Sequence, residues 1–354
     1  MTGNILGGAF LPHAPQFFSL PETEDMATVE RVRSLARKIG DGLRALEPDV
    51  WIIIGNDHTN QFFLHCTPAF AFHVGAEIGG SFAERTFSYA VDSKTALGLV
   101  RHLQDEAFDP AFTSTVEMEY SFAIPLDHLR VEVPIVPLYV NAYVPPQPTM
   151  ERCYALGQAL ARGLAAMGKT AVIIASGGMS HFPGTKQYSS PDLEFDRQLL
   201  EPLKEGRLRA LLALDERRLD ETGNIELRCW GVAAGALGER VPDIVSLDPS
   251  WHHNYASLGW TTPPVSDDWS PHYPTVHAER VILTQALHAL AHNGAERELY
   301  LADPPGYATL RGLDGAEAEA LVSLEADAMA ALGVHPLIPF LAKLQIDHDR
   351  PQSD

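Results

Sequence analysis

The chain has 354 residues and carries 26 Lys and Arg against 46 Asp and Glu, which gives a net charge of −20 at pH 7. This charge would repel a phosphate backbone and an anionic membrane surface, so we expect neither nucleic acid nor a membrane as a partner. The length predicts one large α/β unit with a smaller appendage.

The cysteines and the lack of long apolar runs indicate the compartment. Cys66, Cys153 and Cys229 lie far apart without C-x-x-C spacing, which argues against a disulfide framework or a thiolate zinc site. No apolar run approaches the roughly 18 to 20 residues of a membrane span, and the N-terminus does not resemble a secretion signal. We therefore expect a soluble cytoplasmic protein.

Short apolar runs alternate with segments of helical period through the first half of the chain. Strands are predicted at ILGGAFL, DVWIIIG, PIVPLYV and TAVIIAS, and helices over 27–46, 93–106 and 150–167. This alternation predicts an α/β fold with a central mixed sheet covered by helices. After residue 240, the turn formers and aromatic residues of SLDPSWHHNY and TTPPVSDDWSPHYP predict loops and irregular strands around the sheet.

The C-terminal part has a different sequence pattern. From about residue 279, amphipathic segments alternate with Asp, Gly and Pro, which predicts a small all-helical module. We divide the chain into a catalytic domain over 1–275 and a helical module over 276–354.

Two histidines follow predicted strands, where sites form in α/β sheets. His13 lies in FLPHAP, where flanking prolines stiffen the turn, and His58 ends WIIIGNDH. Two neutral imidazoles and one carboxylate are the ligand set that holds non-haem Fe(II) and leaves other positions open. These histidines are therefore candidate iron ligands.

Glu226 is the candidate carboxylate. It lies in the first turn of a predicted helix in NIELRCWGVAAGAL, where the helix dipole favours a negative charge whatever the function. The apolar face that follows it indicates instead that the side chain points toward an interior site. Both interpretations stay open at the level of sequence.

His181 follows a fourth predicted strand in the glycine-rich loop SGGMSH. A histidine near a metal but not bound to it is suited to moving a proton near neutral pH, although a structural loop histidine is the alternative. Ser180 beside it lacks the G-x-S-x-G frame of a hydrolase nucleophile. His252, His253, His272 and His277 lack an H-E-x-x-H frame, so zinc protease chemistry is not indicated.

With these residues assembled, the chain resembles the class III extradiol ring-cleavage dioxygenases, the family of protocatechuate 4,5-dioxygenase. The resemblance runs through FLPHAP, IGNDH, SGGMSH and the Glu226 segment, in the family's order, over about residues 1–275. It implies that His13, His58 and Glu226 bind Fe(II) and that His181 is the acid/base. The segment 276–354 resembles the small helical α subunit of the same enzymes, here fused behind the catalytic part.

One position departs from the family. Many members carry Asp-His-Gly before an apolar Pro-Leu stretch, and the chain reads MEYSFAIPL, with Tyr120 where that histidine would stand. A phenol still donates a hydrogen bond but carries no positive charge, so Tyr120 is a candidate catalytic residue. His128, eight residues further on, is the alternative replacement.

The resemblance implies an enzyme that uses O2 to open an aromatic ring beside a vicinal diol, with a catechol, protocatechuate, gallate, aminophenol, dihydroxypyridine or hydroxypyridone as substrate. Two alternatives stay open: a MEMO-type protein with the same metal site and no ring cleavage, and a metal-dependent hydrolase. A homo-oligomer, such as a dimer, is expected.

Overall fold

The structure, a computed structural model, describes residues 4–264 and 272–350, and part of the predicted loop TTPPVSDDWSPHYP lies outside them. The chain forms two compact units, Met1–Ser266 and Asp267–Asp354. The sequence-based boundary at 275/276 falls nine residues after this division. Within the described residues, no helix combines the length and the apolar character needed to cross a lipid bilayer.

The first unit contains all the strands of the described residues. Strands β1 to β10 lie at Ile5–Leu11, Val50–Gly55, Phe70–His73, Glu77–Phe82, Arg85–Ala90, Ala111–Thr113, Ile135–Val140, Ala171–Ser176, Ile244–Pro249 and Asn254–Trp260. Its helices α1 to α7 lie at Met26–Ala45, Ser93–Asp105, Tyr120–Leu129, Met150–Ala166, Leu193–Lys204, Glu216–Glu221 and Leu227–Leu237.

Eight strands form one mixed sheet in the order β6-β3-β7-β2-β8-β1-β10-β9, and β4 pairs with β5 in a separate hairpin. The neighbours β7, β2, β8 and β1 are parallel, so their carboxyl ends meet at one edge. Strands β2 and β8 are buried at every position, as their continuous apolar runs predict for strands covered on both faces. The predicted α/β fold with a central mixed sheet is confirmed.

Helices cover both faces of this sheet. Apolar residues of α4 and α7 pack with one set of strand side chains, and those of α1 and α3 pack with the alternate set. The predicted helices over 27–46, 93–106 and 150–167 correspond to α1, α2 and α4 within one residue at each end. The packed layers hold the parallel strand ends in fixed positions.

The prediction for residues after 240 was wrong over 244–260. This part of the chain forms β9 and β10, regular strands that extend the sheet by antiparallel pairing of β10 with β1. Because β10 runs opposite to β1, the residues that precede it lie at the carboxyl edge of the parallel strands.

The second unit is helical over its described residues and has its own apolar core. Its helices α8 to α13 lie at Val281–His292, Gly294–Ala302, Pro304–Leu310, Gly315–Ser323, Ala326–Ala331 and Leu337–Asp349.

Candidate active site

His13, His58 and Glu226 converge at the carboxyl edge of the parallel strands. His13 follows β1, His58 follows β2, and Glu226 immediately precedes α7. One ligand atom from each residue lies within 4.8 Å of the other two. The Oε1 atom of Glu226 is 3.1 Å from Nε2 of His13 and 3.3 Å from Nε2 of His58. The three residues predicted from the sequence therefore form one cluster, in which His13 and Glu226 are buried and His58 is half-buried.

The outer nitrogen of each of these histidines has a fixed partner. Nδ1 of His13 donates to Oγ of Ser176 at 2.8 Å, because the hydrogen of that hydroxyl goes to a backbone carbonyl. Nδ1 of His58 donates to the carboxylate of Glu119 at 2.8 Å. Both Nε2 atoms then present lone pairs, with no hydrogen, toward Glu226. Such a cluster requires a cation between its members, so the donor set fits a divalent metal.

The charge of Glu226 is maintained by its neighbours. Burial alone would raise its pKa, but the imidazoles of His13 and His181, which lie against its carboxylate, hold the pKa well below the ordinary glutamate value. When no cation is bound, Glu119 and Glu226 raise the pKa of His58 to about 10 against the effect of burial, so that a proton then takes the place that a cation would occupy. Glu226 is therefore a carboxylate and an acceptor throughout the neutral range.

Glu226 occupies the N-cap position of α7, one residue before the predicted first turn. Its carboxylate caps no N–H of that helix, and Oε2 instead accepts from the backbone N–H of Gly178 at 3.0 Å. Stabilisation by the helix terminus therefore does not account for a fully buried glutamate here. The side chain points to the interior, as the alternative interpretation required.

His181 lies beside the cluster, outside the group of three. Its Nδ1 donates to the carbonyl of Met179 at 3.0 Å, which leaves the Nε2 lone pair toward the cavity. Nε2 is 3.6 Å from Oε1 of Glu226 and 3.2 Å from the hydroxyl of Tyr143. A neutral imidazole in this orientation can accept a proton from a molecule in the cavity.

A second histidine supports the ring of His181. The ring of His253 stacks on it with centroids 4.3 Å apart and an interplanar angle of 1°. A Cβ atom at Gly178 would lie 1.4 Å from Nε2 of His253, so only glycine fits at that position. Gly178 of the predicted loop thus makes room for this stacked pair.

The loop that carries His181 is held by a buried carboxylate. Asp196 accepts from the backbone N–H of Ser180 at 2.8 Å and from the side-chain amides of Asn224 and Asn254 at 3.0 and 2.7 Å. Burial outweighs these hydrogen bonds and raises the pKa of Asp196 to about 6. This network fixes the backbone directly before His181.

Tyr120 and His128 are the two candidate replacements for the histidine of the family's Asp-His-Gly motif, and Tyr120 is the one that lies at the cavity. It begins α3 and stacks on His58 with ring centroids 4.4 Å apart. His128 lies near the other end of the same helix, buried against the rings of Phe17 and Phe18. It is absent from the described residues that line the cavity, and burial lowers its pKa to about 3.

The cavity also has wall residues that were not predicted to belong to the site. These aromatic and polar residues are Gln16, Tyr143, Tyr188, His252 and His253. Tyr143 follows β7, so the rule that selected His13 and His58 would have found it. The adjacent His252 and His253 had been set aside for lack of an H-E-x-x-H frame, because the region before β10 had been predicted as loops and irregular strands around the sheet and not as part of the sheet itself.

Comparisons with known proteins agree with this geometry. Residues 7–257 match the family described as the catalytic LigB subunit of aromatic ring-opening dioxygenase. A 2,3-dihydroxyphenylpropionate/2,3-dihydroxicinnamic acid 1,2-dioxygenase of Cupriavidus necator is 26% identical over 291 residues, covering 67% of this chain and 92% of the relative. The protein of the same name from Klebsiella pneumoniae strain 342 is 29% identical over 252 residues, covering 70% and 76%.

A solved structure of the uncharacterized protein JW3007 from Escherichia coli K12 aligns with a TM-score of 0.47 at 14% identity, covering 72% of this chain and 99% of that one. The family match spans well over half of the sequence and includes all four of His13, His58, His181 and Glu226. The chain therefore belongs to the LigB family of class III extradiol, aromatic ring-opening dioxygenases.

Proposed function

We propose that the protein binds Fe(II) through His13, His58 and Glu226 and uses O2 to cleave an aromatic ring beside two neighbouring hydroxyl groups. The observation that carries this proposal is the convergence of two Nε2 lone pairs and one carboxylate oxygen on a single point. The relatives are named for a 2,3-dihydroxyphenyl compound, which supports a vicinal diol as the reacting group.

When bound, Fe(II) would supply a Lewis-acidic centre with open positions at which the diol and O2 meet. The protein residues around it fix its ligands from behind. Ser176 and Glu119 keep the Nδ1 hydrogens of His13 and His58 in place, so the lone pairs stay directed inward. Partners of this kind commonly change metal affinity by about 10- to 100-fold.

His181 is the proposed acid/base. With Nδ1 donating to Met179, its Nε2 accepts a proton from a diol hydroxyl in the cavity and later returns it to the product. Tyr143 lies between this nitrogen and Glu226, at 3.2 and 2.8 Å, and its hydroxyl orients toward the same region. Burial and the charge of Glu226 raise the pKa of Tyr143 well above its ordinary value, so it stays a neutral donor.

Tyr120 is the proposed replacement for the histidine of the family's Asp-His-Gly motif. Burial, followed by the negative charges of Glu119 and Glu226, raises its pKa above the ordinary tyrosine value. Its hydroxyl therefore acts as an uncharged hydrogen-bond donor toward a substrate oxygen.

Metal analysis combined with oxygen uptake tests the function. The protein is freed of metal, loaded without oxygen with Fe(II) or with Zn(II), and mixed with catechols, gallates, aminophenols and hydroxypyridones. We expect the Fe(II) form, and not the Zn(II) form, to consume oxygen with at least one of these aromatic compounds. A lack of oxygen consumption with every ring, despite full metal loading, would refute it and favour a MEMO-type binding role; product formation without oxygen would favour a hydrolase.

Residues 276–354 are proposed to be a module that corresponds to the family's α subunit, and the protein is proposed to be a cytoplasmic homo-oligomer. The cytoplasmic assignment is supported by three cysteines without disulfides, Cys66, Cys153 and Cys229. Light scattering of the purified protein tests the oligomeric state.

A further inference from the structure

The cavity beside the metal cluster has room for a small molecule. It has a volume of about 70 Å³, and its lining includes Gln16, Tyr188 and Pro183 as well as Glu226. A cavity needs roughly 10 to 15 Å³ by the same measure to hold one water molecule, so this space is several times that minimum and suits a small ligand such as one aromatic ring.

The charges around this space are negative. Glu226 lies in its wall, Glu119 stands 2.8 Å behind His58, and Glu24 stands 2.9 Å behind His252. Among the described residues that line the cavity there is no Lys or Arg. The stretches 1–3, 265–271 and 351–354 contain no Lys or Arg in the sequence either.

Lys and Arg residues outside the lining are the other candidate counter-charges for a carboxylate in the cavity. Lys186 belongs to the loop after His181, but its side chain is exposed and is not part of the lining. In the second unit, four of the five cationic residues form ion pairs with carboxylates of that unit; the four are Arg280, Arg297, Arg311 and Arg350. A carboxylate group on a ring in the cavity would meet no counter-charge from the described lining.

Gln16 offers a neutral contact instead. It lies in the 3-10 helix Pro15–Phe17, directly after His13, and its side-chain N–H donates to the hydroxyl of Tyr188 at 3.0 Å. Its Oε1 is buried and has no hydrogen-bond partner among the described residues. A buried carbonyl oxygen without a partner is costly unless a ligand donates to it. In this orientation an O–H or N–H group satisfies Oε1, whereas a carboxylate would place oxygen against oxygen unless the amide turned over.

We propose that the site selects a single-ring diol whose further substituent is uncharged and donates a hydrogen bond to Gln16, and that it discriminates against rings that carry a carboxylate. The inference rests on the proposed diol-binding function and narrows it. The relatives are named for a propionate, which is a carboxylate-bearing compound. We therefore expect this protein to differ from them in the charge of the ring substituent that it accepts.

The test compares two rings that differ in charge and hardly in shape, 3,4-dihydroxybenzamide and 3,4-dihydroxybenzoate. Each is titrated without oxygen into the full-length, Fe(II)-loaded protein, and binding is measured by calorimetry, so that turnover plays no part. The amide should bind at least about tenfold more tightly, a ratio that corresponds to about 1.4 kcal/mol. Equal or tighter binding of the benzoate would overturn the inference while leaving the diol-binding function intact. Binding of neither ring, nor of catechol itself, would contradict the proposed function and the inference with it.

Two variants test whether Gln16 causes the preference for the amide over the benzoate. In Gln16→Lys the new ammonium should reverse the preference, so that the benzoate binds more tightly than the amide. In the matched Gln16→Leu control, which has no charge, the amide should lose affinity while unsubstituted catechol keeps most of its own. Circular dichroism checks that both variants are folded. An unchanged amide-to-benzoate ratio in folded Gln16→Lys would exclude Gln16 as the residue that reads the substituent.

Discussion

At the scale of single residues, the partner of one histidine nitrogen decides what the other nitrogen can do. His13 and His58 use Nδ1 on Ser176 and Glu119, and both turn Nε2 toward Glu226. His181 uses Nδ1 on a carbonyl, and its Nε2 faces the cavity at 3.6 Å from the same carboxylate. The same side chain thus serves as a candidate ligand in two places and as a candidate base in the third.

Replacing His181 by Phe tests the proton-transfer role. His181→Phe keeps a ring that can stack on His253 and removes the nitrogen that accepts a proton. Iron content should stay near that of the unmodified protein, and oxygen consumption with the best diol should fall by about 10²- to 10⁴-fold. Retained turnover would remove His181 from the mechanism, whereas loss of iron would make it a ligand instead.

The buried His128 should make the protein sensitive to acid. Its pKa is about 3 in the folded chain and about 6.5 in an unfolded one, so the unfolded state binds the proton first as the pH falls. The stability linked to this group is complete above pH 6.5 and is lost between pH 6.5 and 3. At pH 4.5 the loss should be about 2 to 3 kcal/mol.

In His128→Leu this part of the acid sensitivity should disappear, as measured by urea unfolding at pH 7 and pH 4.5. His65, which is exposed, provides the control, since His65→Leu should leave the acid loss unchanged. If His128→Leu and the unmodified protein lost the same free energy of unfolding between the two pH values, the assignment of this histidine as neutral and buried would be wrong.

The candidate ligands could be predicted because they follow strands or precede a helix within short, distinctive motifs. Sequence spacing does not report which side chains share a cavity across the sheet. Gln16, Tyr143 and the pair before β10 reach the site through tertiary packing, and His128 is kept from it by the direction of α3. Tyr120 itself stood out only because it departed from a family pattern.

At the scale of elements, the contact between α4 and α7 positions Glu226. A Cβ atom at Gly157 of α4 would lie 1.8 Å from the carbonyl oxygen of Val232, and one at Gly235 of α7 would lie 1.9 Å from that of Tyr154. These two glycines let the helix backbones approach closely. Since Glu226 is the residue directly before α7, a shift of that helix would move the carboxylate away from the histidines.

Gly157→Val should therefore lower both stability and metal affinity. Overpacking of this kind costs about 1 to 3 kcal/mol, and backbone atoms are the groups that must move. Gly294→Ala is the control, because that glycine begins α9 and a Cβ there meets only the end of the Arg297 side chain at 3.7 Å. Thermal unfolding and metal titration measure the two effects; normal metal affinity in Gly157→Val would contradict the link between helix spacing and Glu226.

The long buried strands and amphipathic helices were predictable from their hydrophobic periods. The short strands were not. β3 and β6 have four and three residues, and the hairpin of β4 and β5 turns through Ala83 and Glu84, both with positive φ. Tight hairpin turns usually carry Gly or Asn at such positions, so this turn lacks the signal by which hairpins are identified.

At the scale of the whole molecule, the chain contains two units that each enclose an apolar core, Met1–Ser266 and Asp267–Asp354. The candidate metal cluster belongs entirely to the first unit. A ligand stabilises only the folded unit that binds it, by about 2.7 kcal/mol when its concentration is 100 times its dissociation constant.

Calorimetry should therefore show two unfolding transitions, and added metal should raise the midpoint of one and leave the other unchanged. In His13→Ala, which lacks one ligand, neither midpoint should respond. A single transition that moves as a whole with metal would show that the two units unfold as one.

Labelled oxygen shows whether the protein opens the ring with O2. The Fe(II)-loaded protein is supplied with a diol that it consumes and with dioxygen in which both atoms are the heavy isotope. The mass of the product is then measured by mass spectrometry. Ring cleavage by O2 should give a ring-opened product that contains both heavy atoms. A product with an intact ring, or one that contains neither heavy atom, would exclude extradiol cleavage by this protein.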